Sequence, residues 1–126
     1  MKKPQKYRDF IDQMVDVCHN GQGQYGSKAF LKGIWNANAN NKKLRENNED
    51  LQNQYEINLL LEKLSKPERQ RIAEMLEEAF RGGVFETLKY LEEFEIEPFV
   101  DGYEGSPYHD FIGRVYKPDP WNWPEK

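Results

Sequence analysis

The chain has 126 residues, with 18 Lys and Arg against 22 Asp and Glu, a formal net charge of −4 and 13% aromatic residues. A chain of this length buries roughly two-thirds of its unfolded surface in a single domain without a disulfide or metal staple, and so many aromatics exclude a disordered chain. A lone cysteine, Cys18, rules out an internal disulfide and fits a reducing compartment, while the net acidity argues against a dedicated nucleic-acid binder.

The basic cluster Lys2, Lys3 and Lys6 is followed by an amphipathic segment carrying Asp9, Asp12 and Asp16, which is not the pattern of a secretory signal. The longest aliphatic run, Leu59, Leu60 and Leu61, is far shorter than the roughly 20 residues that span a bilayer. The expectation is a cytoplasmic protein with no membrane partner. Residues 1–50 carry nine basic and six acidic side chains and residues 51–126 nine and sixteen, so the two parts have charges of +3 and −7. That polarity is able to orient a partner, although scattered solvated faces account for it as well.

Tyr7, Phe10, Ile11, Met14, Val15 and Cys18 recur at i, i+3, i+4, i+7, i+8 and i+11, the apolar stripe of an amphipathic helix. Asn20 and Gly21 offer it a left-handed stop. Gly21, Gly23 and Gly26 predict a flexible loop, after which Ser27 caps a short helix holding Ala29, Phe30, Leu31, Ile34 and Trp35, weakened by Gly33. Residues 36–50 are rich in asparagine, which competes with helical backbone, and are expected to form an exposed polar loop or a frayed helical start. Helix resumes near Glu49, with Leu51, Tyr55, Asn58, Leu59 and Glu62 along one set of positions and Leu60, Leu61 and Leu64 broadening the apolar face.

Ser65, Lys66, Pro67 and Glu68 match the S-x-x-E capping box, with proline in the first turn, where its nitrogen needs no helical partner. Ile72, Met75, Leu76, Ala79 and Phe80 then form a buried stripe that Gly82 is expected to end, with Gly82 and Gly83 as a tight corner before a further helix through Val84, Phe85, Leu88 and Leu91. Residues 96–100 read as a short extended piece and Asp101, Gly102, Glu104 and Gly105 as turns. Ser106 and Pro107 open one or two helical turns that Gly113 ends. Pro118, Pro120 and Pro124 bar regular helix from the tail, residues 117–126, which is expected to wrap the helices and tuck one or both of Trp121 and Trp123 into grooves. The fold class predicted is all-α: a single helical domain, a bundle of four or five helices with an irregular C-terminal segment rich in proline and aromatics.

The run from Gly82 to Leu91, the motif GYEGSPYHDFIGR at residues 102–114 and the Trp-x-Trp-Pro tail at residues 121–124 resemble a family of small bacterial proteins with no assigned activity. The likeness covers residues 50–126 and, more weakly, the first helix; residues 21–48 have no counterpart in it. The resemblance implies a bacterial, cytoplasmic setting and brings no substrate, cofactor or catalytic residue with it.

The residues themselves disfavour several chemistries. Cys18 and His19 are neighbours on a helix and diverge by about 100°, so a thiol–imidazole pair is not built there. With two histidines and no H-x-x-x-H or C-x-x-C, a metal site would rest on His109 with Asp101, Glu104 and Asp110, a weak spacing. Gly21, Gly23 and Gly26 match G-x-G-x-x-G in letters but follow a helix where a dinucleotide site needs a strand. No cofactor is expected.

Residues 103–114 are the best candidate site: Tyr103, Glu104, Tyr108, His109, Asp110 and Arg114 gather hot-spot residue types among glycine and proline hinges. A fold role for the same segment, with Tyr108, Phe111 and Ile112 in the core and Arg114 paired to a carboxylate, is the competing reading. With no nucleophile, base and orienter in view, the sequence points away from an enzyme and towards a small protein-interaction module, an adaptor, inhibitor or immunity-type protein. The alternative is a small enzyme or small-ligand-binding protein that uses the 103–114 segment with His109 and Asp110 as acid–base groups. Nucleic-acid binding would require Lys28, Lys32, Lys42, Lys43 and Arg45 to share one face, and homo-oligomerisation stays open.

Overall fold

The computed structural model describes residues 4–94, 106–116 and 123, and among these the regular structure is helical throughout. Five helices of eight or more residues are present, α1 (Gln5–His19), α2 (Tyr25–Lys32), α4 (Glu49–Lys63), α5 (Lys66–Glu93) and α6 (Pro107–Val115), with a four-residue turn, α3 (Lys42–Arg45). The all-α class and the number of helices agree with the sequence patterns. The extended piece at 96–100, the turns at 101–105, and Trp121 with the rest of the tail apart from Trp123 lie outside the described residues.

Contacts divide the chain into two compact units, residues 1–21 with 79–126 and residues 22–78, so the two parts of α5 belong to different units. In the first unit, Cys18, Leu88, Phe111 and Val115 are buried together. Phe10, Met14 and Val15 from α1, Phe80, Val84, Phe85 and Leu91 from α5, and Tyr108 and Ile112 from α6 pack around them. Tyr7 and Ile11, from the predicted α1 stripe, are fully buried as well. In the second unit Phe30, Leu61 and Ala73 form the core, with Trp35, Ile57, Leu64, Ile72 and Leu76 against it.

Several local expectations are corrected. α1 ends at His19 on an Asn20 with φ −130°, without the left-handed residue predicted there, and the chain passes into the 3-10 turn Gln22–Gln24. α2 begins at Tyr25, so Ser27 is an interior, buried residue rather than a cap. Its hydroxyl donates to the Gln24 carbonyl at 3.2 Å and lies 3.3 Å from Glu77 Oε1. Gly33 ends α2 at φ +89°, a conformation that glycine adopts without strain, so Ile34 and Trp35 lie beyond the helix.

The asparagines of residues 36–50 serve as caps and hub partners. Asn36, Asn41 and Asn48 accept from backbone N–H groups of Asn38, Lys43 and Leu51 at 3.0, 3.0 and 3.1 Å, opening the 3-10 turn Ala37–Asn40, α3 and α4 in succession. Asn47 takes the left-handed conformation at φ 61°, which asparagine tolerates better than most residues.

The capping box at the start of α5 forms as predicted: Ser65 N–H donates to Glu68 Oε1 at 2.8 Å and Glu68 N–H to Ser65 Oγ at 3.2 Å. The backbone bond from Ser65 and then its side-chain bond favour the ionised carboxylate and hold Glu68 below its ordinary pKa. Gly82 does not stop the helix, which runs unbroken to Glu93. A glycine stop needs a left-handed turn, whereas interior glycine costs only about 1 kcal/mol relative to alanine; burial of Leu88 and half-burial of Val84 and Leu91 outweigh that cost. Because no described atom lies within 4 Å of a Cβ added at Gly82, Gly82→Ala is expected to stabilise the chain by about 1 kcal/mol, seen as a higher urea midpoint at unchanged slope. Likewise α6 passes Gly113 and ends at Val115, both Phe111 and Val115 being buried in the core.

Candidate functional site

α6 starts at Pro107, its fixed φ suited to the first helical position, and Ser106 Oγ donates to Glu92 Oε2 at 2.6 Å. This start sets the face that α6 turns to α1. The Tyr7 hydroxyl donates to Asp110 Oδ2, Arg114 Nε stands 2.8 Å from Asp12 Oδ1, and His19 Nε2–H donates to the Val115 carbonyl at 2.7 Å. Trp123 joins the same cluster: its indole N–H donates to the Asp12 carboxylate at 3.2 Å, and the Arg114 and Arg8 guanidiniums lie 5.2 and 5.9 Å from its ring centroid. Two arginines by an indole, one of them paired with the Asp12 carboxylate, form a polar seam between α1 and α6.

Of the sequence-predicted site residues, Asp110 and Arg114 therefore face α1 and help to hold α6. Tyr108 packs edge-on to Phe85 at 5.6 Å, and its ring centroid lies 4.1 Å from that of the exposed His109. Since Asp110 is engaged by Tyr7 and adjacent helical residues diverge, His109 and Asp110 are not brought together as an acid–base pair. Tyr103 and Glu104 lie outside the described residues.

Cys18 Sγ donates to the Met14 carbonyl at 3.3 Å. Burial pushes this thiol above its ordinary pKa, with the Arg81 charge opposing the shift, which leaves a protonated core thiol instead of a nucleophile. Among the described residues no group of three or more His, Cys, Asp or Glu side chains could hold a metal ion. None of the helices described is long and apolar enough to cross a membrane. The basic residues of the second unit are used differently from one another. Arg45 turns onto the Ala39 carbonyl at 2.8 Å and over the Tyr55 ring at 3.8 Å, whereas Lys28 and Lys32 stay exposed on α2.

The surface that the sequence reading missed is a groove between α1 and α5. Phe10 and Met14 of α1 and Ala79, Phe80, Gly83, Val84, Thr87, Leu88 and Leu91 of α5 line an open groove of about 540 Å³. Gly83 stands in its lining, with no described atom within 4 Å of where a Cβ would be. Tyr90 and Phe94, 52% and 73% exposed, continue the stripe of Ala79, Gly83 and Thr87 along the same helical face. The signal was present in the sequence as apolar residues around more than half of α5, but the expected break at Gly82 divided it.

A family model spans residues 1–125 of the chain. The chain belongs to a family of unknown function (DUF6547). The match to this family includes residues 21–48, the segment to which the resemblance had given no counterpart, so the capped turns of that segment fall within the family's extent. No curated protein and no solved structure matches the chain.

Proposed function

We propose that the chain is a cytoplasmic protein-interaction module of the adaptor, inhibitor or immunity type, which takes an amphipathic helix of a partner protein into the groove between α1 and residues 79–93 of α5. The observation that carries this reading is the exposed apolar stripe of Ala79, Gly83, Tyr90 and Phe94 beside the groove. Two large exposed aromatics continuing an apolar groove mark an interaction surface more strongly than the same residues scattered singly. The apolar lining, contributed by two helices, suits anchors at i, i+3 or i+4, and i+7 of an incoming helix. Glu86 and Glu93 are exposed along the outer edge of the stripe, which favours a partner helix with lysine or arginine on the facing flank. The cytoplasmic part of the proposal rests on the single, buried Cys18.

The test is affinity capture from lysate of the source organism with three baits: the unaltered chain, Tyr90→Ala with Phe94→Ala, and the exposed α6 substitution His109→Ala. The expected result is one stoichiometric protein lost on the groove bait, kept on the α6 bait, and cross-linked to α5 through a basic amphipathic helix. A partner that depends on His109 and not on Tyr90 or Phe94 would place binding on α6 and overturn the groove reading.

A further inference from the structure

The second unit carries a separate cavity of about 400 Å³, lined by Tyr25, Lys28, Ala29, Lys32, Ile34 and Trp35, with Asn36 and Ala37 at one end. Its construction follows from the turn at Gly33. Tyr25, Lys28, Ala29 and Lys32 stand at i, i+3, i+4 and i+7 on one face of α2. The left-handed Gly33 then reverses the chain so that residues 34–37 run beside that face.

The aromatic wall is held from behind. Trp35 meets Tyr25 and Phe30 edge-on at 5.9 Å each, and its backbone N–H donates to the buried Asn58 Oδ1 at 2.8 Å. Asn36 N–H donates to the same oxygen at 3.1 Å. A wall fixed in this way loses little freedom when a ligand arrives. On the same face of α2 as Tyr25, Lys28 and Lys32 are exposed one turn apart, and no carboxylate is among the described residues lining the cavity. Two ammonium groups at this spacing converge on one anionic group, and the volume lies in the range of small-molecule sites.

The geometry points to a binding site for a small aromatic anion, its ring against Trp35 and Tyr25 and its phosphate or carboxylate between Lys28 and Lys32. This is independent of the α1–α5 groove.

The experiment is a titration of the full chain, followed by 1H–15N NMR, with adenosine 5′-monophosphate and indole-3-acetate as the two anionic arms. Adenosine and inorganic phosphate are the controls. The expected result is saturable shifts of the Trp35 indole N–H and the Ala29 and Ile34 amides with at least one anionic arm, and binding at least about tenfold weaker for the control lacking the ring or the charge. Which arm binds tells a nucleotide from an aromatic carboxylate. Lys28→Gln with Lys32→Gln is expected to weaken that arm about tenfold or more, and Lys42→Gln with Lys43→Gln to leave it unchanged. No shift at these three positions with either arm at millimolar concentration would overturn the inference. So would equal binding of adenosine, or indifference to loss of Lys28 and Lys32.

Discussion

Replacing Asn58 by alanine is expected to destabilise the chain by about 3 kcal/mol, among the largest effects of any polar substitution in it. Asn58 is 2% exposed and sits on the core side of α4, one turn from Leu61. Its Oδ1 accepts from the backbone N–H groups of Trp35 and Asn36. Its Nδ2 donates to the Asn36 carbonyl at 2.7 Å and to Asn40 Oδ1 at 3.0 Å. One side chain thus satisfies backbone groups of a segment with little regular ladder of its own, and each half-buried group left without a partner costs about 1–3 kcal/mol. Urea unfolding followed by circular dichroism reads the loss as a lower midpoint. Asn58→Leu separates hydrogen bonding from volume: it fills nearly the same space with apolar atoms and is expected to be about as destabilising as alanine. A leucine variant as stable as the unaltered chain would show that residues 35–40 hold their conformation without the asparagine.

The same residue marks where sequence reading stopped. Local chemistry was legible: the apolar period of Tyr7 to Cys18 placed α1, and Ser65 with Glu68 placed the start of α5, because each depends on groups within a few residues. Gly33, Gly82 and Gly83 were not legible in this way. Glycine permits both a left-handed cap and a continuing helix, and tertiary burial decides between them: Gly33 caps at φ +89°, while Gly82 and Gly83 lie inside α5. Asparagine is ambiguous for a similar reason. Its side chain competes with helical backbone and equally caps the next helix, so residues 36–50 look like a loop in composition and form three capped starts in space. At the candidate site the limit was distance along the chain. Asp110 and Arg114 were singled out for their chemistry, but their partners Tyr7 and Asp12 are about a hundred positions earlier in the chain, and no local pattern reports such a pairing.

Phe111→Ala is expected to cost about 3–5 kcal/mol, more than loss of any of the ionic contacts of α6. Phe111 is completely buried in the cluster with Cys18, Leu88 and Val115, so truncation removes a large apolar side chain and leaves a cavity among neighbours from three helical segments. The nearby Arg114–Asp12 pair is short at 2.8 Å, but only Arg114 is mostly buried while the Asp12 side chain is 40% exposed, so solvent screens the pair and it contributes less than the loss of Phe111. The apolar contact is therefore the larger part of what seats α6, with the polar seam adding to it. Because Cys18 belongs to the same cluster and its thiol is held protonated by burial, its reaction with a thiol-specific reagent reports whether the cluster is closed. Labelling is expected to be slow in the unaltered chain and in Arg114→Met, and many-fold faster in Phe111→Ala, in step with a lower thermal midpoint. Slow labelling in Phe111→Ala at an unchanged midpoint would mean that α1 and residues 79–93 of α5 close over Cys18 without α6, and that the polar contacts of Tyr7, Asp12 and His19 suffice to hold α6 in place.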